Sequence, residues 1–115
     1  AMNDLVRPAM YEAYHEIWPV TERPAEAPDL AYDVVGPICE SGDTFTTGRA
    51  LPQMKPGDLL AFMTAGAYGA SMSSTYNQRL LVAEVMVKGD RYAVTRPRQS
   101  YEELIGTDRA PEWFG

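Results

Sequence analysis

Short apolar runs, broken by proline, glycine and acidic residues, dominate this sequence and predict strands and turns rather than long helices. The opening segment predicts a short helix over Leu5 to Tyr11, with Pro8 in its first turn and Asp4 as a capping side chain. A strand is expected through Tyr14 to Pro19, then an exposed loop over Glu22 to Asp29, which is rich in proline, alanine and acid. Ala31 to Gly36 reads as a strand that stops at Gly36-Pro37. Asp43 to Pro56 is polar and interrupted, with Leu51-Pro52 and Lys55-Pro56-Gly57-Asp58 as turn signals. Leu59 to Met63 is continuously apolar and predicts a buried strand, and Ala65 to Ser74 is built of small residues that permit close approach by a backbone or ligand.

The clearest element comes later. Leu80 to Val87 and Tyr92 to Thr95 are β-branched runs around Lys88-Gly89-Asp90-Arg91, which predicts a hairpin. Ser100 and Glu103 stand at capping-box spacing and open a final short helix. The sum is a mostly β domain, a sandwich or Greek-key, barrel-like packing of short strands with small terminal helices.

At 115 residues, 45% of them hydrophobic, the chain reads as one small globular domain, 1–115. Its 10 basic and 16 acidic residues give a formal charge of -6, which argues against binding to a nucleic-acid backbone. Arg91, Arg96 and Arg98 lie close in sequence but read as one solvated face. A single cysteine rules out an internal disulfide framework and fits a reducing cytoplasm. Ala1 to Leu5 lacks the basic and apolar parts of a signal peptide, and no apolar run has membrane-spanning length. Ala1 to Arg7 already reads as the middle of an ordered segment, so a piece of a longer protein is expected.

Few residues invite chemistry. His15 is the one histidine, too little for a triad or a metal centre, and is expected in a strand or on the surface. Cys39, in Gly36-Pro37-Ile38-Cys39-Glu40-Ser41-Gly42-Asp43, would by itself most often be a small buried hydrophobe. The adjacent Glu40 favours a thiol that keeps its proton and can donate it, and Glu40 itself can bind an ammonium group or be a solvated loop acid. Arg7 and Tyr11, four apart on a helical turn, share a face and can receive a carboxylate, or the arginine can simply lie over the ring. Tyr68 rises from glycine and alanine, as a ligand contact or as core filling.

These stretches together carry a resemblance: Met2 to Tyr11, Val35 to Asp43, Gly57-Asp58-Leu59-Leu60, Ala65-Gly66-Ala67-Tyr68-Gly69 and Met72-Ser73-Ser74-Thr75-Tyr76-Asn77. In that order they resemble the carboxy-terminal domain of the bacterial diaminopimelate decarboxylases, within the alanine-racemase-like family of pyridoxal-phosphate enzymes. The resemblance runs from Met2 to about Leu104. It implies a lyase of lysine biosynthesis with a (β/α)8 barrel that carries the cofactor, pyridoxal 5'-phosphate, and a homodimer whose sites are completed across the interface. It implies that Arg7 and Tyr11 hold the substrate's distal carboxylate and that Glu40 binds its distal amine. Cys39 would be the proton donor supplied by the other subunit, and Tyr68 would contact cofactor and substrate.

The chain departs from the family by lacking the barrel and its Schiff-base lysine; Lys55 and Lys88 both stand outside any family motif. Gln78 to Val82 also differs from the proline- and arginine-rich form of the family. The chain alone is therefore expected to be inactive. The neighbouring alternatives are relatives acting on ornithine, arginine or carboxynorspermidine, of which the ornithine type looks like Cys-Asp in place of Cys39-Glu40, and a non-catalytic binding or dimerisation module.

Overall fold

The computed structural model describes residues 1–114 apart from Arg23, Ala25 and Ala27. Those three belong to the predicted loop at Glu22 to Asp29 and lie outside the described residues, as does Gly115. The chain divides into two compact units, Ala1–Ser73 and Ser74–Gly115. The expectation of a mostly β chain with short helices holds: among the described residues, six strands pair as three two-stranded antiparallel ribbons, with two five-residue α-helices and one 3-10 turn at Tyr76–Gln78.

The first unit opens with a turn in which the Asp4 N–H donates to the Ala1 carbonyl at 2.9 Å. Helix α1 (Arg7–Tyr11) follows, with Pro8 in its first turn, where a missing N–H costs nothing. Asp4 does not cap it, contrary to the sequence expectation. Val6 is the N-cap residue and supplies no side-chain bond, and the Asp4 carboxylate accepts instead from Asn3 Nδ2 at 3.1 Å. The helix ends at Glu12, which turns left-handed at φ 52° and returns its N–H to the Pro8 carbonyl.

Strand β1 (Ile17–Pro19) is shorter than the predicted segment and pairs with β4 (Leu60–Phe62). A further bond, Met63 N–H to the Glu16 carbonyl at 2.8 Å, extends the pairing past the strand end. Between them runs the longer ribbon of β2 (Asp29–Val35) and β3 (Thr44–Pro52). The nine-residue β3 occupies a stretch whose polarity and turn residues argued against a strand. Its pairing decides the matter. Leu51 lies opposite Leu30 and is buried, so Leu51-Pro52 closes the strand rather than forming a turn. A register shift at Asp33 accommodates Gly48, whose N–H donates to the Asp33 carboxylate at 2.8 Å. Among the described residues the buried apolar side chains are Leu5 ahead of α1, Ile17 in β1, Ile38 in the loop after β2 and Leu51 in β3, and the Phe45 and Phe62 rings meet at 4.6 Å. His15 is buried rather than on the surface: its Nδ1 lies 3.1 Å from the Met63 carbonyl, so that nitrogen carries the proton.

In the second unit, β5 (Glu84–Lys88) and β6 (Arg91–Arg96) form the predicted hairpin, with Gly89 at φ 61° in its two-residue turn. Arg96 is not merely a solvated cation, because it pairs with Glu84 across the ribbon at 2.7 Å. Helix α2 (Tyr101–Ile105) carries the predicted capping box, with Ser100 accepting from the Glu103 N–H and Glu103 accepting from the Ser100 N–H. A hydrogen bond from its own backbone, then one from Ser100, holds the Glu102 carboxyl below its usual range.

The loop between β2 and β3 is the tightest point of the first unit. Asp43 is 2% exposed, and a Cβ placed on Gly36 would collide with its carboxylate. Gly36→Ala must therefore move a buried charged group and is expected to cost about 2 kcal/mol, in the range of overpacking a core. Gly66→Ala meets open space and has no positive φ, so it serves as the neutral control. Denaturant midpoints of the two variants check this, and equal midpoints would refute the close approach.

Candidate functional site

Two groups of predicted residues stand on two different devices. The first rests on α1. Arg7 and Tyr11 are one helical turn apart, and the Arg7 guanidinium lies 5.7 Å from the Tyr11 ring centroid. Tyr68 arrives from the turn-rich segment after β4, and its ring lies 5.1 Å from the same guanidinium. Arg7 is thus flanked by two phenols, so the structure brings together three residues that sequence reasoning had only as a pair and a singleton. Both rings are exposed. A guanidinium is a planar fork of donors, and beside two phenols it suits a carboxylate.

Tyr68 occupies this place in a costly backbone state. Its φ is 64°, a left-handed conformation unusual for a bulky side chain. Its carbonyl accepts from the Met72 N–H at 3.0 Å, which fixes the turn. The ring is 60% exposed, so core filling does not explain it. Strain of this kind concentrates at ligand contacts.

The second group rests on the loop between β2 and β3. Cys39 and Glu40 are both exposed, which overturns the expectation that a lone cysteine is buried. Their neighbours turn inward: Ile38 and Asp43 are buried. The Glu40 side chain folds back over Gly42, where its Oε1 lies 3.0 Å from the position a Cβ would take. A thiol and a carboxylate are therefore presented side by side to the outside by a loop held from within. Such a pair can move a proton and hold an ammonium group.

Asp43 was the residue that sequence reading passed over. Its Oδ1 accepts the Met2 N–H at 2.7 Å and its Oδ2 accepts the Ile38 N–H at 2.8 Å. The available signal was an acid after a glycine at the end of a Gly-Pro loop, but its partner Met2 is 41 positions away. A separate cavity of about 460 Å³ lies beside α1, between Glu12, Tyr14 and the Thr44–Thr47 stretch of β3. Arg49 lines it, with its guanidinium 4.4 Å from the Tyr14 ring and its Nη1 donating to the His15 carbonyl.

The comparisons with known proteins agree on one group. Residues 1–66 match the model of the family described as pyridoxal-dependent decarboxylase, C-terminal sheet domain. The diaminopimelate decarboxylase of Zymomonas mobilis is 53% identical over 99% of this chain, which covers 26% of that protein. That of Archaeoglobus fulgidus is 52% identical over 97% of this chain and is likewise covered to 26%. Among solved structures, the diaminopimelate decarboxylase from M. jannaschii in complex with L-lysine superposes with a TM-score of 0.90 at 37% identity, over 98% of this chain and 25% of that one. This chain spans about a quarter of the length of the relatives it matches.

Tyr68 offers a direct check on whether the first group is structural. A left-handed non-glycine residue costs about 1–2 kcal/mol, and an exposed cation–π contact returns about 0.5–1 kcal/mol. Tyr68→Gly is therefore expected to leave the unfolding free energy unchanged or raise it by up to about 1 kcal/mol. A loss larger than that, measured by denaturant unfolding, would make the ring part of the scaffold.

Proposed function

Since this chain belongs to the family of the pyridoxal-dependent decarboxylase C-terminal sheet domain, we propose that it is the sheet domain of a diaminopimelate decarboxylase. The whole protein would convert meso-2,6-diaminopimelate to L-lysine and carbon dioxide as a cytoplasmic homodimer. The observation that carries this reading is the Arg7 guanidinium in contact with both the Tyr11 and the Tyr68 ring. A decarboxylase acting on a substrate without a distal carboxylate has no need for such a receptor.

The distal end of diaminopimelate bears a carboxylate and an ammonium. Arg7 with Tyr11 answers the first, and Glu40 answers the second. Leaving either group unpaired in a closed site is costly, so shorter or singly charged amino acids are rejected. Pyridoxal phosphate supplies the electron sink that lets the α-carboxylate leave. The residues here fit a supporting place beside that group and not its attachment. The exposed Tyr68 phenol would contact it, whereas Lys55 and Lys88 lie exposed in a turn and at the hairpin end. Covalent attachment therefore falls to a barrel domain outside these residues, and the chain alone is inactive. Cys39, exposed on its loop, would return a proton to the substrate Cα after carbon dioxide has left. Following the family, Cys39 and Glu40 serve the partner subunit's site.

The test is carbon dioxide release by the full-length protein. Meso-diaminopimelate should be turned over, with ornithine, arginine and carboxynorspermidine much poorer; preference for any of those three would overturn the reading. Within that protein, Arg7→Lys keeps the charge but loses the bidentate fork. It is expected to raise KM about tenfold with a smaller effect on kcat. Cys39→Ala should lower kcat by about a hundredfold or more with KM nearly unchanged. An unaltered KM in the first variant or an unaltered kcat in the second would remove that residue from its role.

A further inference from the structure

The loop between β2 and β3 is tied at three successive alternate residues, and every tie ends on Asp43. The Asp43 carbonyl accepts the Gly36 N–H at 2.8 Å, its Oδ2 accepts the Ile38 N–H at 2.8 Å, and its own N–H donates to the Glu40 carbonyl at 3.0 Å. Cys39 is therefore bracketed on both sides by residues bonded to one side chain and its main chain. The remaining carboxylate oxygen, Oδ1, holds the Met2 N–H at 2.7 Å, in the turn that leads into α1.

A buried carboxylate receiving two main-chain N–H groups is a strong, directional anchor. Here it is aimed at backbone rather than at a side chain, so it fixes where the loop runs. The close approach to Gly36 leaves the carboxylate no room to swing toward that side. Two further hydrogen bonds stiffen the loop: the Thr44 Oγ1 donates to the Ser41 carbonyl at 3.0 Å, and the Glu40 N–H donates to the Ile38 carbonyl at 2.8 Å. The outcome is a loop tied at its base with Cys39 and Glu40 exposed on it.

We propose that Asp43 is the positioning residue of the Cys39–Glu40 pair. It sets the placement of the proton donor and of the ammonium-binding carboxylate through the Ile38 N–H and the Glu40 carbonyl, without touching substrate. The proposal rests on the function proposed above. Its consequence is selective. Loosening the clamp disturbs recognition of the distal ammonium and delivery of the proton, while the distal carboxylate keeps its receptor on α1.

Asp43→Asn is the test, made in the full-length protein. Asparagine has the same shape but one acceptor, so its amide group meets a buried N–H with another donor. Two ligands separate the effects. L-Lysine carries the distal ammonium without the carboxylate, and 2-aminopimelate carries the distal carboxylate without the ammonium. The expected result is a loss of about tenfold or more in L-lysine affinity and in kcat, with 2-aminopimelate affinity changed less than about threefold. Equal weakening of both ligands would reduce Asp43 to a support of the fold, and no change in either would remove its role. If Asn fails to fold, Asp43→Glu keeps both acceptors but displaces them by one methylene, and the same selectivity is expected. If the wild-type protein binds neither ligand, the functional reading fails. Asp43 is then judged by the alkylation rate of Cys39 with iodoacetamide, which the variant shifts about tenfold or more if the clamp sets the thiol's placement. An unshifted rate overturns the proposal on its own terms.

Discussion

A carboxylate taken out of water demands donors, and at Asp43 the donors are the main-chain N–H groups of Met2 and Ile38. That single demand organises the first unit. It brings the amino-terminal turn against the loop between β2 and β3, and it forces glycine at position 36, where any side chain would occupy the space of the charged group. With so few buried apolar residues, such an anchor carries unusual weight. Leu5, Ile17, Ile38 and Leu51 supply burial without direction, and Asp43 supplies direction.

What could be read from the sequence followed the range of the interactions involved. The hairpin of β5 and β6 and the capping box at Ser100 depend on residues within a few positions of each other, and both were legible. Strand β3 was not. Its threonines and Gly48 read as an interrupted polar stretch, and only pairing with β2 reveals that Leu51 faces inward. The role of Asp4 was misread because a capping residue and a turn acid look alike locally. His15 was misplaced because burial of a polar ring depends on Met63, 48 positions away.

The candidate site was legible in its parts but not in its arrangement. Arg7 and Tyr11 share a face by helical spacing alone. That the Tyr68 ring also comes to 5.1 Å from the guanidinium depends on a left-handed residue that no spacing rule predicts. For Cys39 the composition argument pointed the wrong way. A lone cysteine is usually buried, yet the inward positions of this loop are taken by Ile38 and Asp43, which leaves Cys39 and Glu40 outward.

The exposure of these residues bears on the kind of site they can form. Electrostatic recognition and proton transfer gain strength when water is excluded, and neither the Arg7 group nor the Cys39–Glu40 pair excludes it by itself. Each is a wall without a facing wall. In the proposed enzyme the facing walls come from the barrel domain and from the second subunit, so one sheet domain contributes to two sites. The clamp at Asp43 then has a place in that division of labour. It fixes the loop that bears Cys39 and Glu40 against the Met2 N–H, while Arg7 and Tyr11 take their mutual placement from the turn of α1 itself, so the two surfaces presented to different neighbours are held by separate devices.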